Sequence, residues 1–115
     1  MMTLWRRLGV DTLLRTAWER GTVMCGVSAG AICWFESGNS DSRKFTSGSD
    51  RLIRVSGLGL IPALVCPHYD TEPLRQTDLP RMMRESPRVA ITLDNLAAIE
   101  VVDDQYRILS GNECA

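Results

Sequence analysis

The stretch Cys25-Gly26-Val27-Ser28-Ala29-Gly30-Ala31-Ile32-Cys33-Trp34-Phe35-Glu36 constrains this chain more than any other. An apolar run enters a Gly-x-Ser-x-Gly turn, and helix-compatible residues leave it at once. Strand and helix backbones approach this closely only where side chains are small. The resulting turn projects its serine from a strained position at the start of a helix. There the Ala29 N–H and the helix dipole can stabilise an oxyanion. The same small residues also pack ordinary corners, so the motif needs support from the rest of the chain.

His68 supplies that support. It is the one histidine, and it follows the apolar run 63–66. If both runs are strands of a parallel sheet, Ser28 and His68 sit at C-terminal strand ends, where such sheets form their ligand crevice. The plainer alternative is a satisfied loop histidine. A third apolar run, residues 89–93, ends in Asp94-Asn95, so the chain order is Ser, His, then Asp or Asn. Lipases and esterases of the α/β-hydrolase type run Ser, acid, His, which sets this chain apart from them.

The helical spacing of Leu4, Leu8, Leu13, Leu14, Ala17 and Trp18, with Gly21 as a stop, predicts a first helix. Residues 22–27 read as a buried strand, and 29–35 as a helix ending near Gly38. The polar, turn-rich segment 37–50 predicts a surface loop. A short strand is expected over 51–55, a loop with its own apolar anchors over 57–62, and a buried strand over 63–66. A helix lies within 71–86, expected to start near Asp78-Leu79-Pro80 or slightly earlier, and strands follow at 89–93, 97–102 and 106–109. Asp103-Asp104 joins the last two into a hairpin. Strands alternating with helices argue an α/β fold with a largely parallel sheet, flanking helices and a C-terminal β-hairpin. No repeat and no linker interrupts it, so residues 1–115 read as a single domain.

Composition narrows the function classes. An apolar fraction of 44% describes a globular chain, and a net charge of −1 offers no field to nucleic acid or anionic lipid. The apolar runs are too short to span a bilayer, and the charged N-terminus has no apolar run behind it, which predicts no signal peptide. The cysteines at 25, 33, 66 and 114 form no C-x-x-C, and with one histidine they do not make a zinc site. Cys25, Cys33 and Cys66 lie in apolar runs and are expected as small buried hydrophobes, in a reduced, cytoplasmic protein. No metal or other cofactor is called for.

The segments GVSAGAICWFE, GLGLIPALVCPHYD and ITLDNLAAIEVVDDQYRILSG resemble the peptidase E family of serine peptidases. That family includes aspartyl dipeptidase and, more distantly, cyanophycinase. The resemblance implies a fold like the class I glutamine amidotransferases and a Ser-His-Glu/Asp triad. It also implies hydrolysis of small peptides, typically dipeptides with N-terminal aspartate. Carried over, Ser28 matches the nucleophile, His68 the base, and Ala29 the residue whose N–H forms half of the oxyanion hole. Asn95 falls at the acid position. An amide can orient an imidazole but cannot stabilise an imidazolium by charge. The neighbouring Asp94 is expected to point the other way on an extended backbone. Arg75 matches a recurrent arginine that could grip a substrate carboxylate, and Asp41 approximates an aspartate that could hold the substrate ammonium. Trp34 and Phe35 read as core.

The resemblance also implies further strands before the helix on which this chain opens, with a glycine-rich loop that supplies the second oxyanion donor. The expectation is therefore a family domain lacking its N-terminal strands. Its partners would be a small peptide and either a second copy or an upstream complementing segment, with no nucleic acid and no membrane. Two rivals remain: a remnant acting only as an interaction domain, and an amidotransferase-like protein, which would carry cysteine rather than serine at the elbow.

Overall fold

A computed structural model describes residues 1–85 and 89–111. The expected helix residue Ser86, and Cys114, lie outside the described residues. The fold is α/β. Two helices, α1 (Met2–Leu8) and α2 (Val10–Glu19), lead into the short α3 (Ala29–Ile32). Then come β1 (Phe35–Ser40), α4 (Ser42–Ser47), β2 (Ile53–Ser56), β3 (Ile61–Pro67) and α5 (Pro73–Glu85). Strands β4 (Ala90–Leu93), β5 (Ala97–Val102) and β6 (Gln105–Ser110) are the last elements of the described residues.

Four strands form one sheet in the order β2-β1-β3-β4. β3 runs parallel to both β1 and β4, and β2 lies antiparallel on the far edge of β1. β5 and β6 form a separate antiparallel hairpin, with Ile99 opposite Ile108 and Val101 opposite Tyr106. Among the described residues, no helix is long and apolar enough to cross a membrane.

The centre of the sheet is covered on both sides, as parallel strands require. Alternate residues of β3 serve different cores. Ala63 and Val65 pack with Ile32, Phe35 and Leu93, while Leu64 and Cys66 pack with Leu52 and the α5 residues Leu79 and Met82. Helix α5 begins at Pro73, ahead of the expected start near Asp78-Leu79-Pro80, because a missing N–H costs nothing in the first helical turn.

Several expectations are corrected. The first helix is two, because Gly9 takes a left-handed conformation (φ 72°) that caps α1 and restarts the chain as α2. Residues 22–27 form no strand and, apart from half-buried Met24, are exposed, with Val23 88% and Val27 83% accessible. A strand exists only as one member of a ladder, and among the described residues none lies beside this one. Cys25 is accordingly exposed, whereas Cys33 and Cys66 are buried as expected.

The helix after the elbow stops at Ile32, and the supposed surface segment 37–50 opens with the inner strand β1 and continues into α4. Polar β1 is buried because its residues are small or fully bonded. A Cβ on Gly38 would come within 2.7 Å of the Ile32 side chain, and buried Asn39 receives Arg75 and donates to Asp78. Phe35 is core as expected, and Trp34 packs half-buried against the same cluster.

Candidate active site

The elbow begins with a backbone clash avoided. A Cβ on Gly26 would overlap the carbonyl oxygen of Gly30. The chain can therefore fold back over itself, and Ser28 takes φ 54° and ψ −117°, a region that costs a non-glycine residue strain. Its carbonyl accepts the N–H groups of Ala31 and Ile32 at 3.0 and 3.1 Å, which starts α3. Among the described residues the exposed Ala29 N–H finds no backbone acceptor, so it is free to donate beside Ser28.

His68 follows the last residue of β3 and also has positive φ, 55°. Its Nε2 lies 2.9 Å from Ser28 Oγ, and its Nδ1 lies 2.7 Å from Asn95 Oδ1. An amide oxygen only accepts, so the nitrogen facing it carries the ring proton. Nε2 then presents its lone pair to the serine hydroxyl. That tautomer is the one a general base needs.

Asn95 sits in the turn after β4, closed by Ala97 N–H donating to Asp94 O at 3.2 Å, with Leu96 at φ 64°. The His68 loop holds this turn in several places. Tyr69 N–H donates to Leu93 O at 3.2 Å, and Asn95 N–H donates to Asp70 Oδ1 at 2.8 Å. Asn95 Nδ2 donates to Thr71 Oγ1 at 3.2 Å. Of the two acid-position candidates, the structure brings Asn95 to the imidazole. Among the described residues the Asp94 carboxylate makes no bond to His68.

Arg75 and Asp41 lie in a different network. Arg75 is 2% exposed. Its Nε donates to Glu72 Oε2 at 2.6 Å, and its Nη1 donates to the Asn39 backbone oxygen at 2.7 Å and to Asn39 Oδ1 at 3.2 Å. Its Nη2 is 3.9 Å from Asp41 Oδ1. The two residues expected to grip opposite ends of a substrate thus face each other. Glu72 N–H in turn donates to His68 O at 3.1 Å, so the network ties the end of β1 to the histidine loop. Sequence pattern alone marks none of Asp70, Thr71, Glu72 and Asn39 as a site residue. The first three were within view as Asp-Thr-Glu two residues beyond the histidine.

The buried Cys33 and Cys66 stand apart from this chemistry. Burial pushes the Cys66 thiol up to about 11, an effect that nearby Arg75 partly offsets. Burial also raises Cys33, whose Sγ donates to Ala29 O at 3.1 Å. Thiols held protonated in this way are packing groups rather than nucleophiles.

An α/β sheet with a serine elbow facing a histidine is an arrangement suited to hydrolysis. The model of peptidase family S51 matches residues 1–109, and the chain belongs to that family. It is also 36% identical over 106 residues to the uncharacterized peptidase YgaJ of Bacillus subtilis (strain 168). The aligned stretch is 91% of this chain and 44% of that protein, so the chain spans less than half the length of this relative. No solved structure gives a significant match.

Proposed function

We propose that the chain is a serine-type peptidase domain acting on small peptides, with dipeptides bearing N-terminal aspartate as its first candidate substrates. Ser28 Oγ attacks the peptide carbonyl, and His68 Nε2 takes its proton and later returns it to the leaving amine. Asn95 orients the ring, and the Ala29 N–H donates to the developing oxyanion. The observation that carries this reading is the line of contacts from Ser28 Oγ through His68 to Asn95, at 2.9 and 2.7 Å. Free thiols at 25, 33 and 66 fit a reducing compartment such as the cytoplasm.

A serine-directed fluorophosphonate tests the assignment. The wild-type chain should be labelled on Ser28, and Ser28→Ala should abolish the label. Labelling that survives the substitution would sink the elbow assignment.

A second reading, a weakly active or inactive interaction domain, is favoured by two observations. The orienting group is an amide, and among the described residues the elbow shows one oxyanion donor, the Ala29 N–H. Losing one of a pair of donors typically costs about 10²–10³ in kcat. A second copy of the chain, or an upstream segment supplied in trans, would complete the hole under the first reading. Co-expression with such a segment should raise both labelling and rate. Under the second reading, neither changes.

A further inference from the structure

We propose that Asp70 and Thr71 are positioning residues, which clamp Asn95 against His68 from within the histidine's own loop. The proposal rests on the assignment of His68 and Asn95 made above.

Asn95 is exposed, and so is the turn around it. An asparagine on an exposed turn samples several rotamers, yet Oδ1 must stay within 2.7 Å of Nδ1 to fix the tautomer. Packing does not hold it there, so hydrogen bonds must. Two bonds are independent of the imidazole. The Asp70 carboxylate accepts the Asn95 backbone N–H and fixes where the residue stands. The Thr71 hydroxyl accepts from Nδ2 and fixes the plane of the amide. Both come from residues two and three positions after His68, so imidazole, partner and clamp belong to one short loop.

An aspartate or glutamate at position 95 would hold an imidazolium by charge over a range of orientations. A neutral amide does so only through a directed bond. The clamp therefore matters more with asparagine than it would with an acid. Among the described residues neither Asp70 nor Thr71 hydrogen-bonds to Ser28 or to the Ala29 N–H, so their influence on the chemistry passes through Asn95.

A double-mutant cycle reads that route. Asp70→Ala and Thr71→Val should each lower kcat by about ten- to a hundred-fold, the range expected when a catalytic pair is misplaced. KM should stay within about two-fold. Asp70→Asn and Thr71→Ser, which keep the accepting oxygens, should recover most of the rate. In an Asn95→Ala background, Asp70→Ala and Thr71→Val should cost nothing further. If the losses multiply in that background, or if Asp70→Ala matches the wild type, the clamp is overturned.

Nuclear magnetic resonance of the imidazole separates this result from failure of the catalytic assignment. With a single histidine in the chain, its ring N–H resonance is unambiguous. The Nδ1 proton should be protected from exchange in the wild type and in Asp70→Asn, and lost in Asp70→Ala. Full protection in Asp70→Ala would reject the clamp whatever the activity. Loss of that proton beside an Asn95→Ala variant of undiminished rate would keep the clamp and reject Asn95 as a member of the catalytic set.

Discussion

Gly26 and Gly30 meet backbone to backbone: a Cβ on Gly26 would overlap the Gly30 carbonyl, whereas one on Gly30 would meet nothing within 4 Å. The two glycines of the motif are therefore not equivalent. Gly26→Ala should force the elbow open and remove Ser28 from reach of His68, abolishing fluorophosphonate labelling. Gly30→Ala should be tolerated, and labelling rates of the two variants, measured side by side, check the asymmetry.

Asn95 offers a gain of function. Asn95→Asp keeps an oxygen that can accept from His68 Nδ1 and adds the charge that stabilises an imidazolium. It should raise kcat by about ten-fold or more, with KM little changed. Asp94→Ala should leave the rate near wild type. A drop in Asp94→Ala with no gain in Asn95→Asp would transfer the orienting role to Asp94.

Arg75 separates substrate recognition from structure. A guanidinium that is 2% exposed and bonded to Glu72 and Asn39 acts as a strut. Arg75→Met should cost roughly 2–3 kcal/mol of stability, below the value for a fully buried pair because Glu72 keeps part of its hydration. Rates on Asp-X and on neutral dipeptides should fall together. A KM that rises for the acidic substrate alone would instead place the arginine on the substrate carboxylate.

These cases show which parts of the molecule are written locally. The apolar run 63–66 carried its own evidence, since every residue is hydrophobic and each face of β3 meets a core. The elbow and the histidine were legible because glycine spacing and a unique residue type are visible without the fold. Strand β1 was not. Phe-Glu-Ser-Gly-Asn-Ser has no alternation, and its burial is decided by Ile32 above Gly38 and by Arg75, thirty-six positions beyond Asn39. Residues 22–27 failed in the opposite direction. Their apolar pattern is that of a strand, but a pattern cannot supply the neighbour that makes one. The Arg75–Asp41 approach was hidden for a related reason, because ion pairs between distant residues leave no periodic trace.

Cys66 gives a pH dependence with a definite sign. Burial raises its thiol from an ordinary 9.0 to about 11. Between those values an unfolded thiol has lost its proton while the folded one keeps it, so unfolding releases a proton and stability falls as pH rises. The urea midpoint should decline across pH 9–11. Cys66→Ala should be less stable overall, yet show a shallower decline. Parallel curves for the two proteins would assign the decline to other groups.

The exposed apolar side chains predict association. Leu13, Val23 and Val27 are 70%, 88% and 83% accessible, more than scattered surface residues require. The isolated 115-residue chain should sediment as oligomers at micromolar concentration. Val23→Lys with Val27→Glu should shift it toward monomer. A monodisperse wild-type monomer would show that these side chains are tolerated in water.

Segment 22–27, which among the described residues belongs to no strand ladder, leads directly into Ser28. Ser28 is fastened on its C-terminal side by α3, while on the other side the chain reaches it without a ladder. In the catalytic reading proposed above, turnover is the chemical rate multiplied by the fraction of time the hydroxyl spends aligned with the imidazole. Anything that stiffens 22–27 lengthens that duty cycle without touching substrate. In that reading, a strand laid along the backbone leading to the serine would quicken the site from outside it.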